Sequence, residues 1–250
     1  MHRAVKKIFV GKEKAVMTRL NKYLAECGIC SRREADRYID QGKVYVNHVR
    51  AVSGMQVSDT DIVEVNGKEV KSRERKIVLA YYKPVGVTCT EKDRHAKKTI
   101  VEALNYPVRL TYAGRLDKDS EGLMIMTNDG ELIQRMMKGS NYHEKEYTVK
   151  VNKEITEEFL DGMRKGVYLR ELDQTTRPCT VEKKGKYTFD IVLTQGLNRQ
   201  IRRMCQSFGY QVLSLKRNRV VNIELGNLKP GQYRELSGQE LKSLYEMVFN

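Results

Sequence analysis

Residues 114–123 read GRLDKDSEGL and place a group of charged side chains between two glycines, directly before the apolar run 123–126. Glycine, aspartate and serine at this density predict a turn. Ordinary solvated-turn chemistry would explain most of these charges. Residues further along the chain make Asp117 the candidate catalytic carboxylate, whereas Asp119 and Glu121 are interpreted as turn-forming or solvated residues without partners.

Composition points to a globular protein with a polyanionic partner. The chain has 250 residues, 40% of them hydrophobic, which is enough for one large domain or two smaller ones. Lysine and arginine number 46 against 32 aspartates and glutamates, for a net charge of +14. Such a surplus predicts affinity for a polyanion. The apolar runs are too short to span a bilayer, and no basic amphipathic helix stands out, so nucleic acid is favoured over a membrane.

The N-terminal residues 1–16 carry five basic residues and one acidic residue, without an apolar segment long enough for a secretory signal. We interpret them as a disordered basic arm. The alternative is that the functional chain begins at Met17 and the arm is dispensable.

Five cysteines, an odd number in a chain of this length, predict a reducing cytoplasm. Cys27 and Cys30 form a C-x-x-C, but no second such pair exists and the histidines are scattered. Packing around a helix end is therefore favoured over a redox or zinc site, and no metal site is expected.

Residues 17–65 predict two helices and a small sheet. Residues 18–27 carry apolar side chains at helical spacing, and Ser31 with Glu34 has the signature of a capping box for a helix that ends at Gly42. Strands follow at 44–46 and 62–65, with a hairpin turn at Asn66-Gly67. Near the start of the second helix, three side chains on the solvent face can meet phosphate, although a plain solvated face is the alternative: Arg32, Arg33 and Arg37.

A polar segment, 66–76, is typical of a linker and predicts a domain boundary before a second domain at 77–250. In this second domain, strands are predicted at 78–82, 123–126, 143–151, 187–193 and 210–215, with few helices between them. Ser237 and Glu240 predict a capping box for the last helix. The pattern predicts an α+β domain built on a mixed, largely antiparallel sheet.

Residues 195–205, QGLNRQIRRMC, predict a helix with two faces. One face is apolar, and the other presents three guanidiniums, those of Arg199, Arg202 and Arg203. A solvated basic face is the ordinary explanation. Without an acidic residue one turn away, however, the like charges are unrelieved, and a bound polyanion or a carboxylate from elsewhere in the chain would relieve them.

Two resemblances follow from these motifs. Residues 19–24 (RLNKYL), 30–36 (CSRREAD) and 44–47 (VYVN) resemble the S4 RNA-binding domain. RLD at 115–117, KEY at 145–147 and QIR at 200–202 resemble the three catalytic motifs of the pseudouridine synthases, in the branch that modifies ribosomal RNA. The fold implied is a small N-terminal S4 domain followed by a pseudouridine synthase catalytic domain.

The resemblance implies an isomerase that converts a specific uridine of large-subunit (23S) ribosomal RNA into pseudouridine, acting as a monomer. Because the isomerisation neither gains nor loses atoms, no cofactor is expected. The alternatives are a synthase acting on small-subunit ribosomal RNA or transfer RNA, and a non-catalytic RNA-binding ribosome-assembly protein.

The implied catalytic residues are Asp117, Tyr147 and Arg202. Cleaving a glycosidic bond builds positive charge on the sugar, which an ionised carboxylate at Asp117 stabilises, either by attacking the sugar carbon or by removing the 2′ proton. A guanidinium at Arg202 favours the ionised form, and the Tyr147 ring offers a platform for a flipped base. Contacts to RNA are expected from a wider set: Arg19, Lys22, Arg32, Arg33, Arg37, Arg115, Asn198, Arg199 and Arg203.

Overall fold

The computed structural model describes residues 17–58, 60–70, 75–90 and 98–250. The basic arm predicted at residues 1–16 lies outside the described residues, as do residues 71–74 of the predicted linker. The chain divides into two compact units, Met1–Glu74 and Arg75–Asn250.

The N-terminal unit pairs two short helices with short antiparallel strands. Strands β3, β2, β5 and β6 form one sheet in that order, and β1 pairs with β4. The elements are β1 (Thr18–Arg19), α1 (Leu20–Glu26), α2 (Arg32–Asp40), β2 (Val44–Val46), β3 (Val49–Arg50), β4 (Gln56–Val57), β5 (Val63–Val65) and β6 (Lys68–Glu69).

Helix α2 begins where the sequence predicts it. The Ser31 hydroxyl accepts a hydrogen bond from the backbone N–H of Glu34 at 3.2 Å, which satisfies one of the donors that a helix start leaves free. Ala35 and Ile39 are buried in the core of this unit. The opposite face leaves three guanidiniums exposed, as predicted: Arg32, Arg33 and Arg37.

The cysteine pair contributes to the core of this unit. Cys27 and Cys30 are both buried among the apolar residues of α1 and α2. This agrees with the predicted packing around a helix end, because small side chains fit where the chain turns between two helices.

The predicted linker starts too early. Asn66 and Gly67 form the predicted hairpin turn, with φ angles of 52° and 74°, but Lys68–Glu69 then pairs with β5 and Val70 is buried in the core. The polar composition misled the prediction because Lys68 and Glu69 are exposed. The described part of the segment up to residue 70 therefore belongs to the N-terminal sheet.

The second unit is built on one mixed sheet. Its order is β13-β14-β10-β15-β9-β7-β17, with β16 against β15 and β8 against β9. Among the described strands, the pairing of β9 with β15 is parallel and the other pairings are antiparallel. The elements are β7 (Val78–Lys83), α3 (Ile100–Leu104), β8 (Thr111–Ala113), β9 (Glu121–Thr127), α4 (Gly130–Met137), β10 (Lys145–Val151), α5 (Glu157–Lys165), β11 (Tyr168–Leu169), β12 (Gln174–Thr175), β13 (Thr180–Gly185), β14 (Thr188–Leu193), α6 (Gln200–Ser207), β15 (Val212–Val220), β16 (Ile223–Glu224), β17 (Tyr233–Glu235) and α7 (Gly238–Phe249).

The centre of this sheet is buried on both faces. Along β9, Met124 contributes to one apolar cluster and Ile125 to the other, because successive side chains point to opposite faces of a strand. Helices α5 and α6 cover the first cluster, and α4 and α7 cover the second. A sheet enclosed in this way holds the strand ends rigidly, and those ends carry the loops of the site described below.

Some elements differ from the sequence predictions. Helix α5 and strand β13 were not predicted. The capping box at the start of α7 is wrong, since Ser237 makes no side-chain cap bond. Glu240 instead accepts two hydrogen bonds from the Arg234 guanidinium, at 2.6 and 2.7 Å, and that charged pairing outcompetes the neutral cap.

Candidate active site

A cavity of about 790 Å³ opens at one end of the sheet in the second unit. Its walls come from residues 114–120, from the start of β10 and from residues 195–202. These are the three segments that carry the predicted catalytic motifs, although up to about 85 positions separate them in sequence. The fold brings Asp117, Tyr147 and Arg202 to the walls of one cavity.

Hydrogen bonds to its backbone carbonyls hold the loop before β9 in place. The Ser120 N–H donates to the Asp117 carbonyl at 3.1 Å, which closes a tight turn, and the Gly86 N–H donates to the Lys118 carbonyl at 2.7 Å. The Lys83 ammonium donates to the Ser120 carbonyl at 2.6 Å. Asp117 therefore sits at the tip of a loop whose ends do not move freely.

Lys83 is a supporting residue that the sequence reasoning missed. It ends the buried strand β7, it is itself fully buried, and its amine also donates to the Pro84 carbonyl at 3.0 Å. Burial lowers the pKa of Lys83 from its usual value, while the carboxylates of Asp117 and Asp119 partly oppose that shift. A lysine that interrupts an apolar run just before a proline was the signal available in the sequence.

Asp117 lies next to two arginines, Arg202 in α6 and Arg199 directly before that helix. Its Oδ2 accepts a hydrogen bond from Arg199 Nη1 at 3.2 Å and lies 3.8 Å from Arg202 Nε. The Asp117 side chain is 31% exposed, so a ligand in the cavity can reach it. The sequence predicts a pairing of Asp117 with Arg202 alone, but Arg199 makes the shorter contact.

Arg202 is the less exposed of the two arginines, with 13% of its side chain accessible. Its Nη2 donates to the Asp119 carbonyl at 3.1 Å and to the Ser120 hydroxyl at 3.2 Å, and its Nη1 donates to the Val212 carbonyl at 3.3 Å. Its Nε is buried without a hydrogen-bond partner in the described part of the chain. Arg202 thus braces the loop and leaves one donor on the side where Asp117 lies.

The interpretation of the other two loop acids as unpartnered is wrong. Asp119 Oδ2 lies 3.2 Å from Arg202 Nη2 and 3.5 Å from Arg199 Nη2. The Glu121 carboxylate accepts a hydrogen bond from the Tyr82 hydroxyl at 2.9 Å. These partners lie on other elements, so neighbouring sequence could not reveal them. Carboxylates from elsewhere in the chain do relieve the like charges of α6, one of the two possibilities that the sequence left open.

Tyr147 is the third residue of β10, and β10 lies between β14 and β15 in the sheet. It is 9% exposed, belongs to the apolar cluster on one face of the sheet and lines the cavity. The core anchors the ring at the wall of the cavity.

Two further cations line the cavity and were not predicted. Arg217, 2% exposed, donates from Nε to the Leu123 carbonyl at 2.7 Å. Lys145 donates to the His143 carbonyl at 3.1 Å. Burial, together with the nearby charge of Arg217, lowers the pKa of Lys145 to about 8. The floor and walls of the cavity therefore carry several positive charges beside Asp117.

The predicted RNA contacts separate into three groups. Arg115, Asn198 and Arg199 line the cavity. Arg203 does not, because its guanidinium forms an ion pair with Glu171 and donates to the Asn198 carbonyl at 3.0 Å. The remaining five lie in the N-terminal unit, where Lys22 is 3.6 Å from Glu26 and the arginines occupy α2 and β1: Arg19, Lys22, Arg32, Arg33 and Arg37.

Within the described ranges, none of the helices has the length and apolar character needed to cross a membrane. In the same residues, the side chains of histidine, cysteine, aspartate and glutamate nowhere gather in a group of three or more suited to a metal ion.

Comparison with known proteins identifies both units. Residues 76–207 match the family described as RNA pseudouridylate synthase, and residues 18–63 match the S4 domain. The chain is 47% identical to the dual-specificity RNA pseudouridine synthase RluF of Escherichia coli strain K12, over 93% of this chain and 80% of that protein. This identity confirms the resemblance to pseudouridine synthase F, which residues 28–39, 143–147 and 195–205 carry.

Two further proteins are similar over nearly the whole chain. The ribosomal large subunit pseudouridine synthase B of Bacillus subtilis strain 168 is 37% identical over 91% of this chain and 96% of its own length. A crystal structure of a pseudouridylate synthase superposes with a TM-score of 0.67 at 27% identity, covering 92% of this chain and 99% of that one. This fold match agrees with the predicted S4 domain followed by an α+β catalytic domain.

Proposed function

The chain belongs to the RNA pseudouridylate synthase family and is an RNA pseudouridine synthase, an isomerase, and from this premise we propose that it modifies a specific uridine of large-subunit (23S) ribosomal RNA with Asp117 as its catalytic carboxylate. The observation that carries the site assignment is that the fold brings Asp117, Tyr147 and Arg202, one residue from each motif, to the walls of a single cavity, where Asp117 lies beside two guanidiniums.

The reaction detaches uracil from the ribose at N1, turns the base over and rejoins it to C1′ through carbon 5. The carbon-5 proton leaves and N1 gains a proton, so no atom is gained or lost overall. Positive charge develops on the sugar as the N-glycosidic bond breaks, and a carboxylate next to C1′ stabilises that charge or bonds to it. Asp117 and Asp119 are both accessible carboxylates of this loop, and the motif RLD at 115–117 favours Asp117 for this role. Both routes, attack on C1′ and removal of the 2′ proton, start from its ionised form.

Arg202 and Arg199 support Asp117 in different ways. Arg202 is nearly buried and hydrogen-bonded to the loop backbone, so it stays in place when RNA enters and keeps a positive charge 3.8 Å from Asp117. Arg199 is 42% exposed, so RNA phosphate can compete for its guanidinium. In this account, Arg199 covers Asp117 before RNA binds and uncovers it when a phosphate draws the guanidinium away.

Tyr147 serves as the platform for the flipped base. An aromatic face is the usual support for a base that has left its stack, and the strand position of Tyr147 fixes the ring at the cavity wall. Its hydroxyl is the candidate group for removing the carbon-5 proton at the end of the reaction.

Large-subunit ribosomal RNA is favoured as the target because the Bacillus subtilis relative carries that subunit in its name. A second substrate is the alternative, since the relatives at 47% identity are named dual-specificity enzymes. Transfer RNA is the second class to test. The +14 charge and the exposed arginines of α2 would hold phosphates in either case without reading bases. We further propose a cytoplasmic location, which such a target and the odd number of cysteines support.

The experiment is chemical mapping of pseudouridine in ribosomal and transfer RNA from cells with and without the gene. The cells without the gene are also complemented with wild type or with Asp117→Asn. We expect one or a few large-subunit positions to lose pseudouridine in the deletion strain and to regain it only with wild type. Loss confined to small-subunit or transfer RNA would refute the target, and restoration by Asp117→Asn would refute the site.

A further inference from the structure

Residues 138–144, here called the rim, connect α4 to β10, and the catalytic assignment does not use them. Met137 and Lys145, on either side of this rim, both line the cavity. Within the rim, Tyr142 has φ 53° and ψ 28°, a left-handed conformation that a bulky side chain seldom adopts. The residue is 59% exposed. Core packing therefore does not explain a large aromatic ring at this place.

Arg177 holds this ring in position. The guanidinium carbon lies 3.9 Å from the centre of the Tyr142 ring. Nη1 donates to the Thr194 carbonyl at 3.1 Å and Nη2 donates to the Gly139 carbonyl at 3.1 Å. Thr194 precedes Gln195, which lines the cavity. A fixed cation thus covers one face of the tyrosine, and the accessible ring surface is the face turned away from Arg177.

The charge of this rim is not neutralised by the described part of the chain. No carboxylate there forms a salt bridge with Arg177 or with Lys138, which is exposed on the same rim. Arginine carries five N–H donors, of which the two carbonyls above use two. Donors and positive charge therefore remain for an anion that approaches next to the ring.

We propose that Tyr142 and Arg177 form a binding subsite for one unpaired nucleotide of the RNA beside the target uridine, with the base stacked on the open face of Tyr142 and the phosphate against Arg177. This inference rests on the proposed function. Flipping a uridine into the cavity removes a stacking partner from the neighbouring base, and an exposed aromatic ring replaces it. Because every base has a π-face, the subsite fixes the register of the strand and tolerates different sequences.

The test compares Tyr142→Ala, Tyr142→Phe and Tyr187→Ala with wild type in the full chain. Tyr142→Phe keeps the stacking face and removes the hydroxyl. Tyr187 is a matched control, since it is also exposed and also has a cation, Lys186, over its ring. Its carbonyl pairs with Val151 at the opposite end of β10 from Lys145, so it lies away from the cavity. Thermal unfolding verifies that the exposed substitutions leave the fold intact.

Two readouts are needed: the dissociation constant for a fluorescein-labelled oligouridine, and KM and kcat for ribosomal RNA from cells lacking the gene. We expect Tyr142→Ala to weaken oligouridine binding and to raise KM by roughly 5- to 150-fold, the range of one base–aromatic stack, with kcat much less affected. Tyr142→Phe and Tyr187→Ala should stay near wild type in both readouts.

Unchanged affinity and KM in Tyr142→Ala, with active wild type, would overturn the subsite and leave the proposed function standing. Equal losses in Tyr142→Ala and Tyr142→Phe would also overturn it, because the hydroxyl and not the ring face would then be responsible. If wild type leaves ribosomal RNA unmodified while Tyr142→Ala still weakens oligouridine binding, the proposed target fails and the subsite stands.

Discussion

Gly122 joins the catalytic loop to the sheet, and replacing it with alanine should affect stability and activity together. Gly122 has φ +112°, and an added Cβ would lie 2.3 Å from the Arg217 carbonyl oxygen and 2.6 Å from its nitrogen. Both atoms are backbone, so no side chain can move aside to relieve the overlap. Strand β9 must therefore separate from β15 by about 1 Å to reach an ordinary carbon contact.

The cost has two sources. A positive φ costs alanine about 1–2 kcal/mol. Separation of the strands disturbs the parallel pairs of Lys216 with Glu121 and of Arg217 with Gly122, at about 0.5–1.5 kcal/mol for each lost hydrogen bond. We expect Gly122→Ala to lower the free energy of unfolding by about 2–5 kcal/mol. A shift of this size at the end of the loop should lower pseudouridine formation by about 10²-fold.

Gly231→Ala is the matched control for backbone strain. Gly231 has φ +86°, and an added Cβ would meet nothing within 4 Å. This variant should lose about 1–2 kcal/mol and keep its activity. Urea unfolding and pseudouridine formation on ribosomal RNA measure both effects. The same stability loss in the two variants, with full activity in Gly122→Ala, would refute the close-approach argument.

Three other perturbations test separate parts of the account. Arg202→Lys should lower turnover by roughly 10²–10³-fold, because a point charge replaces the planar guanidinium that holds the loop. Arg203→Lys should change turnover little, and equal rates in the two variants would contradict the different roles of the two arginines. The pKa of Lys145 is lowered to about 8 from 10.5, so between these pH values the unfolded chain binds more protons than the folded chain. The free energy of unfolding of wild type should therefore rise with pH in this window relative to that of Lys145→Met. A constant difference between the two proteins across the window would contradict this. Deleting residues 17–64 should weaken RNA binding and leave the second unit folded, and an unchanged dissociation constant for ribosomal RNA would argue against a role of the S4 domain in RNA binding.

The sequence predicts most of the buried framework, because burial leaves a pattern in local composition. Strands β7 and β9 contain continuous apolar runs, and in β10 apolar residues alternate with polar or charged residues. Strand β13 was missed since it is exposed at nearly every position, with Val181 as its buried residue. Helix α5 had readable signals in Thr156 as its cap and in apolar residues at helical spacing, but Gly162 in its middle weakened the pattern.

The motif residues of the site were predictable, and their pairings were not. Asp117 and Arg202 stand in short recognisable motifs, but which arginine touches which carboxylate depends on loop geometry that composition does not encode. Arg199 illustrates this, since it contacts Asp117 from a left-handed backbone at the start of α6. Lys145 and Arg217 reach the cavity through strand register, which is set by pairing between segments about 70 residues apart.

The central claim is that the Asp117 carboxylate performs the chemistry, and tritium release from ribosomal RNA labelled at carbon 5 of uridine tests it most directly, because pseudouridine formation expels that hydrogen. Asp119→Asn is the matched control, since Asp119 touches the same two arginines from the same loop. We expect wild type and Asp119→Asn to release tritium at rates within about tenfold of each other, and Asp117→Asn to be slower by on the order of 10⁴-fold or more. Release by Asp117→Asn at a rate close to wild type would contradict the account.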